Sequence, residues 1–189
     1  DVIRSRIIAG KLADSAVAEL LQTHIKKAGL EQGHAVVEYD KNRTDGFQNP
    51  DPFDLELRKP NGLTETVEVR SSFCYLLASP NKIIQKLSVY GWYTSANKPI
   101  ETPRDWYWQV IYYLRPRNIS KPDYGPDVDI FEDVLDKGEV CAYIVGGASK
   151  SLLSNAGAVR KDQDGASYQA ISPICHAFDC EKLLAAMFP

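Results

Sequence analysis

The chain has 189 residues, 44% hydrophobic and 25% charged, with 22 Lys and Arg against 25 Asp and Glu for a net charge of −3. That length predicts one globular domain with a sizeable core, and the negative balance excludes a protein that coats nucleic acid by bulk charge while leaving room for a local basic groove. No apolar run approaches the roughly 18 residues of a membrane span, and collagen-like, coiled-coil and disordered classes do not fit this composition.

Residues 2–28 carry Ile3, Ile7, Ile8, Leu12, Ala16, Leu20, Ile25 and Ala28 at helical spacing, which predicts a helix stopped by Gly29 and open to a break at Gly10. Residues 34–40 predict a short strand, followed by a polar loop over 41–52. Residues 53–59 and 64–70 alternate apolar and charged side chains around Pro60-Asn61-Gly62, the pattern of a β-hairpin. Residues 80–93 have helical spacing, with Ser79 as N-cap and Pro80 at the first position. Residues 105–114 (DWYWQVIYYL) are apolar on both faces and predict a strand buried on both sides. A Pro-rich loop over 115–126 and an acidic helix over 127–136 follow. Then come a strand at 139–145, a turn at Gly146-Gly147, a helix near 149–155, a strand at 167–174 and a helix at 179–187. This order predicts an α/β fold, a mixed central sheet flanked by helices, in a single domain over residues 1–189.

Several residue groups point away from chemistry. Cys74, Cys141, Cys175 and Cys180 include no Cys-x-x-Cys pair and read as small buried hydrophobes in a reducing compartment, which implies a cytoplasmic protein. Cys175, His176 and Cys180 lack a fourth ligand at zinc spacing. His24, His34 and His176 make no triad-like pattern with a Ser or Cys. The run Gly146-Gly147-Ala148-Ser149-Lys150-Ser151 fails as a nucleotide phosphate loop, because Ser149 and Ile144 stand where that motif requires glycine. Trp106, Tyr107, Trp108, Tyr112 and Tyr113 read as core, whereas Trp92 and Tyr93, beside a polar stretch, are better placed for a substrate.

The hairpin carries the chemistry. With Lys59 paired to Leu63, Arg58 faces Thr64, Glu56 faces Thr66, and Asp54 faces Glu68. Cross-strand neighbours have Cβ atoms about 4.5–5.5 Å apart, and two carboxylates that close raise each other's pKa. A divalent cation is one reason to hold them together, since Mg²⁺ takes oxygen ligands and commonly uses one or two carboxylates plus substrate phosphate. Arg70 points the same way as Glu68 and suits a carboxylate or a phosphate. A hairpin with one wet face alternates in the same manner, so Glu56 and Arg58 imply no more than that face, and a one-residue register shift would part Asp54 from Glu68.

Asp54 followed by Glu68-Val69-Arg70 on the next strand resembles the PD-(D/E)XK nuclease superfamily, whose pattern is an acidic residue on one strand and (D/E)-x-K on the next. Pro52-Phe53-Asp54 stands where the Pro-Asp element would be, with one residue inserted, and Glu19 on the first helix stands where a helical Glu would be. The resemblance covers about residues 10–115 and implies a restriction-endonuclease-like fold and a Mg²⁺-dependent endodeoxyribonuclease, with Mn²⁺ as a substitute metal. It implies Asp54, Glu68 and the Val69 carbonyl as metal ligands, Glu19 on a second ion or a metal-bound water, and double-stranded DNA as the partner of a homodimer. The family's Lys is Arg70 here, which stays protonated, stabilises charge on a phosphate and does not serve as a general base. Lys82 or Lys86 on the next helix would supply an ammonium from another direction. Lys41 and Arg43 before Asp54, Lys82, Lys86, Arg115 and Arg117 are the residues offered to DNA phosphates. A nuclease-like module without catalysis, binding nucleic acid or protein, is the alternative that Arg70 raises; an unrelated α/β protein with an ordinary polar hairpin face is the other.

Overall fold

In the computed structural model, helix α1 (Val2–Lys27) runs unbroken through Gly10. A glycine inside a helix costs about 1 kcal/mol against alanine, and burial of the helix's inner face outweighs that. The inner face is Ala9, Ala13, Val17 and Leu21, with Ala18 and Ile25 beside them, all buried. Ile7 and Leu12, expected on it, are 58% and 43% exposed. The structure describes residues 2–44, 46, 48, 51–94, 101–114, 131, 135–161 and 166–189. The loop expected over 115–126, with Arg115 and Arg117, lies outside these residues, as does the acidic helix of 127–136 apart from residues 131, 135 and 136.

Strand β1 (Ala35–Glu38) leads into a one-turn helix α2 (Tyr39–Asn42), and the hairpin forms β2 (Leu55–Arg58) and β3 (Thr64–Cys74). Its register is the expected one, with Arg58 opposite Thr64 and Glu56 opposite Thr66, and the Lys59 N–H donates to the Leu63 carbonyl at 2.9 Å. Leu55, Leu57, Val67 and Val69 point into the core, so burying one face fixes the pairing.

The helix expected over 80–93 does not form. A 3₁₀ turn (Pro80–Lys82) and a single α-turn, α3 (Ile83–Lys86), give way to strand β4 (Val89–Tyr93). Val89, Tyr90, Trp92 and Tyr93 are β-branched or aromatic and favour a strand once another strand is there to pair with. The partner is β8 (Ser167–Ile171). Gly91 is needed because a Cβ there would meet Leu153 and the Gln169 carbonyl at 2.9–3.0 Å.

Strand β5 (Trp106–Tyr113), buried at all eight positions, pairs parallel to β3, and β6 (Cys141–Ser149) pairs antiparallel to β5. Two sheets result: a mixed five-stranded sheet in the order β1-β2-β3-β5-β6, and a three-stranded antiparallel sheet, β4-β8-β7. The C-terminal strands therefore do not all complete the central sheet. Strand β7 (Ala158–Lys161), which the sequence pattern missed, and β8 build the second one.

Side chains alternating along β5 divide the core. Trp106, Trp108, Val110 and Tyr112 pack with α1 and with the C-terminal helix α5 (Cys180–Met187). Tyr107, Ile111 and Tyr113 pack on the other face, with Ile83, Val89, Ile171 and Leu153 of helix α4 (Lys150–Ala156). These aromatics are core, as expected, and Tyr112 Oη donates to the Ala9 carbonyl at 2.7 Å, tying α1 to the sheet.

Gly146 and Gly147 do not turn the chain; they lie within β6. Gly147 pairs with Trp108 on one side and exchanges two 2.9 Å backbone bonds with Phe178 on the other. A Cβ at 147 would run into the Tyr107 carbonyl. Gly147→Ala is expected to destabilise the fold by roughly 2–3 kcal/mol, the cost of overpacking a close-packed core. A thermal melt checks this, and an unchanged Tm would show that the strand absorbs the methyl.

Candidate functional site

Strand β3 runs past the end of β2, since β2 pairs only with Thr64 to Val67. The Val69 N–H is thereby left at an open ladder position, and the Asp54 carboxylate fills it: Oδ2 accepts from Val69 N–H at 2.7 Å. The Asp54 backbone is fixed as well, its N–H donating to the Val67 carbonyl at 3.2 Å and its carbonyl accepting from Tyr39 N–H at 3.0 Å. One further step of the register puts Asp54 opposite Glu68.

Glu68 and Arg70 alternate with Val67 and Val69, so they leave the sheet on the side away from α1. Glu68 Oε1 lies 3.2 Å from an Arg70 terminal nitrogen, and Oε2 lies 3.8 Å from Nε of Arg104. The other terminal nitrogen of Arg70 donates to Glu101 Oε1 at 2.6 Å, while Glu101 Oε2 accepts from Tyr93 N–H at 2.9 Å. The Arg70 guanidinium also lies over the rings of Tyr93 and Tyr168, 5.6 and 5.8 Å from their centroids. Tyr93 thus belongs to the site, though it packs on Arg70 from strand β4.

Helix α1 approaches Asp54 from the other side. A cavity of about 140 Å³ is lined by Lys11, Asp14, Asp40, Asp51, Phe53 and Asp54, among others. Lys11 Nζ lies 3.4 Å from Asp14 and 3.5 Å from Asp51 and also pairs with Asp40. Arg43 is held between Asp40, at 3.3 Å, and Asp51.

The carboxylates strain against one another. Burial pushes Asp14 up to about 7, with the Asp54 charge adding to it and Lys11 opposing. Burial pushes Glu68 up to about 8, with Asp54 and Glu101 adding while Arg70 and Arg104 oppose. Asp54 is raised by burial despite its bond from Val69 and the nearby charges of Arg70 and Lys11. A buried acid that is neither fully neutralised nor fully solvated suits a bound cation.

The structure therefore brings Asp54, Glu68 and Arg70 together and enlists Val69 through its N–H. Glu19 is exposed. It lies five residues beyond Asp14, about 140° round the helix, and Asp14 takes the helical position near Asp54. Arg43, expected to reach DNA, has only 4% of its side chain exposed and serves Asp40 and Asp51. Lys41 is exposed at the cavity rim, paired with Glu38 at 2.6 Å. Lys82 and Lys86 are exposed on the short turns before β4 and do not line the cavity; the ammonium there is that of Lys11.

Asp14, Lys11, Glu101 and Arg104 escaped the sequence reading. Asp14 left a signal: it shares a helical face with Ala18, Leu21 and Ile25, all buried, so a carboxylate stands on the inner face of a helix. Glu101 and Arg104 left none, since only the parallel pairing of β3 with β5 carries them to Glu68.

Among the described residues no three His, Cys, Asp or Glu side chains converge as a preformed metal site. The donors nonetheless suit Mg²⁺, whose octahedral shell usually keeps several waters and takes one or two carboxylates. Asp54 and Glu68 supply hard oxygen donors, and burial is the main reason both carboxyls lie above their ordinary range. Among the described residues no helix is long and apolar enough to cross a membrane. The chain matches no protein-family model, no curated protein and no solved structure.

Proposed function

We propose that this chain is a Mg²⁺-dependent endodeoxyribonuclease with a restriction-endonuclease-like fold, hydrolysing phosphodiester bonds of double-stranded DNA. One observation carries the reading: Asp54 at the open end of β2, its carboxylate held by the Val69 N–H at 2.7 Å, stands one register step on, opposite Glu68 of β3. The order of elements supports it, with a helix, an antiparallel three-strand meander and then a fourth central strand, β5, parallel to β3. In this reading Asp54 and Glu68 hold Mg²⁺, with Asp14 on the α1 side. When bound there, Mg²⁺ would supply the chemistry of lowering a water's pKa and polarising the phosphate. The Val69 N–H fixes the Asp54 carboxylate, and Glu68 orients Arg70. Arg70 stabilises negative charge on the phosphate and moves no proton, being permanently charged. A homodimer would place two such sites on the two DNA strands.

A second reading is favoured by the ties of Arg70, whose two terminal nitrogens already engage Glu68 and Glu101. It is a nuclease-like module that binds without cutting. Supercoiled plasmid incubated with Mg²⁺, Mn²⁺ or EDTA separates the two. The nuclease reading expects nicking with either metal, none with EDTA, and loss of nicking in Glu68→Gln. Plasmid that stays intact with both metals but is retained by the protein supports the second reading.

A further inference from the structure

Strand β7, Ala-Val-Arg-Lys, is an outer strand of the second sheet, and all four of its residues are exposed. Among the described residues Arg160 and Lys161 make no ion pair and no side-chain hydrogen bond. Their charges face solvent in a chain of net charge −3. By contrast, Lys11, Arg43 and Arg70 all pair with carboxylates.

The register places this pair of charges. Arg160 lies opposite Tyr168 of β8, and Tyr168 lies opposite Tyr93 of β4. Cross-strand partners share a face, so Arg160, Tyr168 and Tyr93 form one row. The Tyr93 and Tyr168 rings pack at 4.3 Å, and both lie against the Arg70 guanidinium. The row therefore starts at Arg70, beside Glu68, and ends at Arg160, one strand beyond Tyr168; neighbouring strands are about 4.8 Å apart. Lys161, opposite Ser167, stands at the same end of the sheet. Lys82 and Lys86 precede the other end of β4. A DNA duplex carries one phosphate charge per ~1.7 Å of axis, so a duplex with one phosphate at Glu68 brings others past the surface around that site.

We infer that β7 contacts the DNA backbone flanking the phosphate to be cut, with Arg160 and Lys161 supplying the charge. This rests on the DNA reading above and deepens it, because it names a surface outside the hairpin for the same partner. The competing account is an edge strand charged only to keep other strands from pairing with it. Asp162 and Asp164 follow Lys161 in the sequence, outside the described residues.

Fluorescence anisotropy of a labelled duplex with the full chain in EDTA, over a range of KCl concentrations, tests the contact. The slope of log K against log salt is about −0.9 for each phosphate neutralised. Arg160→Gln combined with Lys161→Gln is expected to make the slope shallower by about 1.8 and to weaken binding on the order of tenfold. Arg160→Lys combined with Lys161→Arg keeps both charges and is expected to keep the wild-type slope. A wild-type chain without salt-dependent binding, or an unchanged slope in the glutamine variant, overturns the contact. If that variant also self-associates, the charges protect the edge; if it does not, Asp162 and Asp164 already neutralise them. Metal-dependent plasmid nicking with an unchanged slope removes the contact and leaves the nuclease. A shallower slope without nicking in Mg²⁺ or Mn²⁺ keeps the DNA surface and removes the nuclease.

Discussion

Asp54→Asn is expected to lower metal-dependent plasmid cleavage on the order of 10³-fold while raising Tm at pH 8 by about 2–4 °C. The loss follows from removing a cation ligand, because metal-ion catalysis contributes several kcal/mol and each 1.36 kcal/mol is tenfold in rate. The gain follows from the position of the carboxylate. Asp54 is buried beside Asp14 and opposite Glu68, and burial holds its pKa above the ordinary range. Asparagine keeps an oxygen for the Val69 N–H, now bonded at 2.7 Å, and removes the charge. Relief of about 1 kcal/mol in a domain of this size moves Tm by those few degrees. Nicking rates and a calorimetric melt check the pair of effects. If stability and activity fall together, Asp54 is a structural cap on the β3 ladder rather than a ligand.

In EDTA, the fold is expected to be less stable at pH 9 than at pH 5.5 by on the order of 3 kcal/mol, or roughly 6–12 °C in Tm. The sign comes from Asp14 and Glu68, raised to about 7 and about 8. Acids whose pKa is higher folded than unfolded bind more protons in the native state. Their stabilisation is complete below the unfolded pKa, about 4, and is lost as pH climbs through 7 and 8. The two sites are coupled through Asp54, so their shifts do not simply add. Asp40 acts oppositely: Lys11 and Arg43 lower its pKa, so its contribution is lost only as pH falls below about 4. Mg²⁺ at a hundredfold its dissociation constant is expected to restore about 2.7 kcal/mol at pH 9. It should do little at pH 5.5, where protons compete for the same oxygens. Melts across pH, with and without Mg²⁺, measure this. A flat profile in EDTA would mean that the carboxylates are fully compensated by Lys11, Arg70 and Arg104.

The sequence by itself determined the hairpin, its register and the buried strand. Period-2 alternation around Pro60-Asn61-Gly62 is a local signal, and burying Leu55, Leu57, Val67 and Val69 leaves one register that keeps all of them inside. Asp54 opposite Glu68 follows from that local arithmetic, as does Arg70 on the same face. Helix α1 was legible as a helix, but the choice between Glu19 and Asp14 needed the angle at which it meets the sheet. The fate of residues 80–93 was decided at long range: one segment carries helical spacing and strand-forming side chains, and pairing with β8 selected the strand. Tertiary structure alone brought Glu101 and Arg104 to Glu68. They come from a segment with no motif, and only the parallel alignment of β3 with β5, Glu68 beside Tyr107, carries them there. Non-local strand pairing has no short-range signature, so Asp54, Glu68 and Arg70 could be read along the chain, whereas Asp14, Glu101 and Arg104 needed the fold.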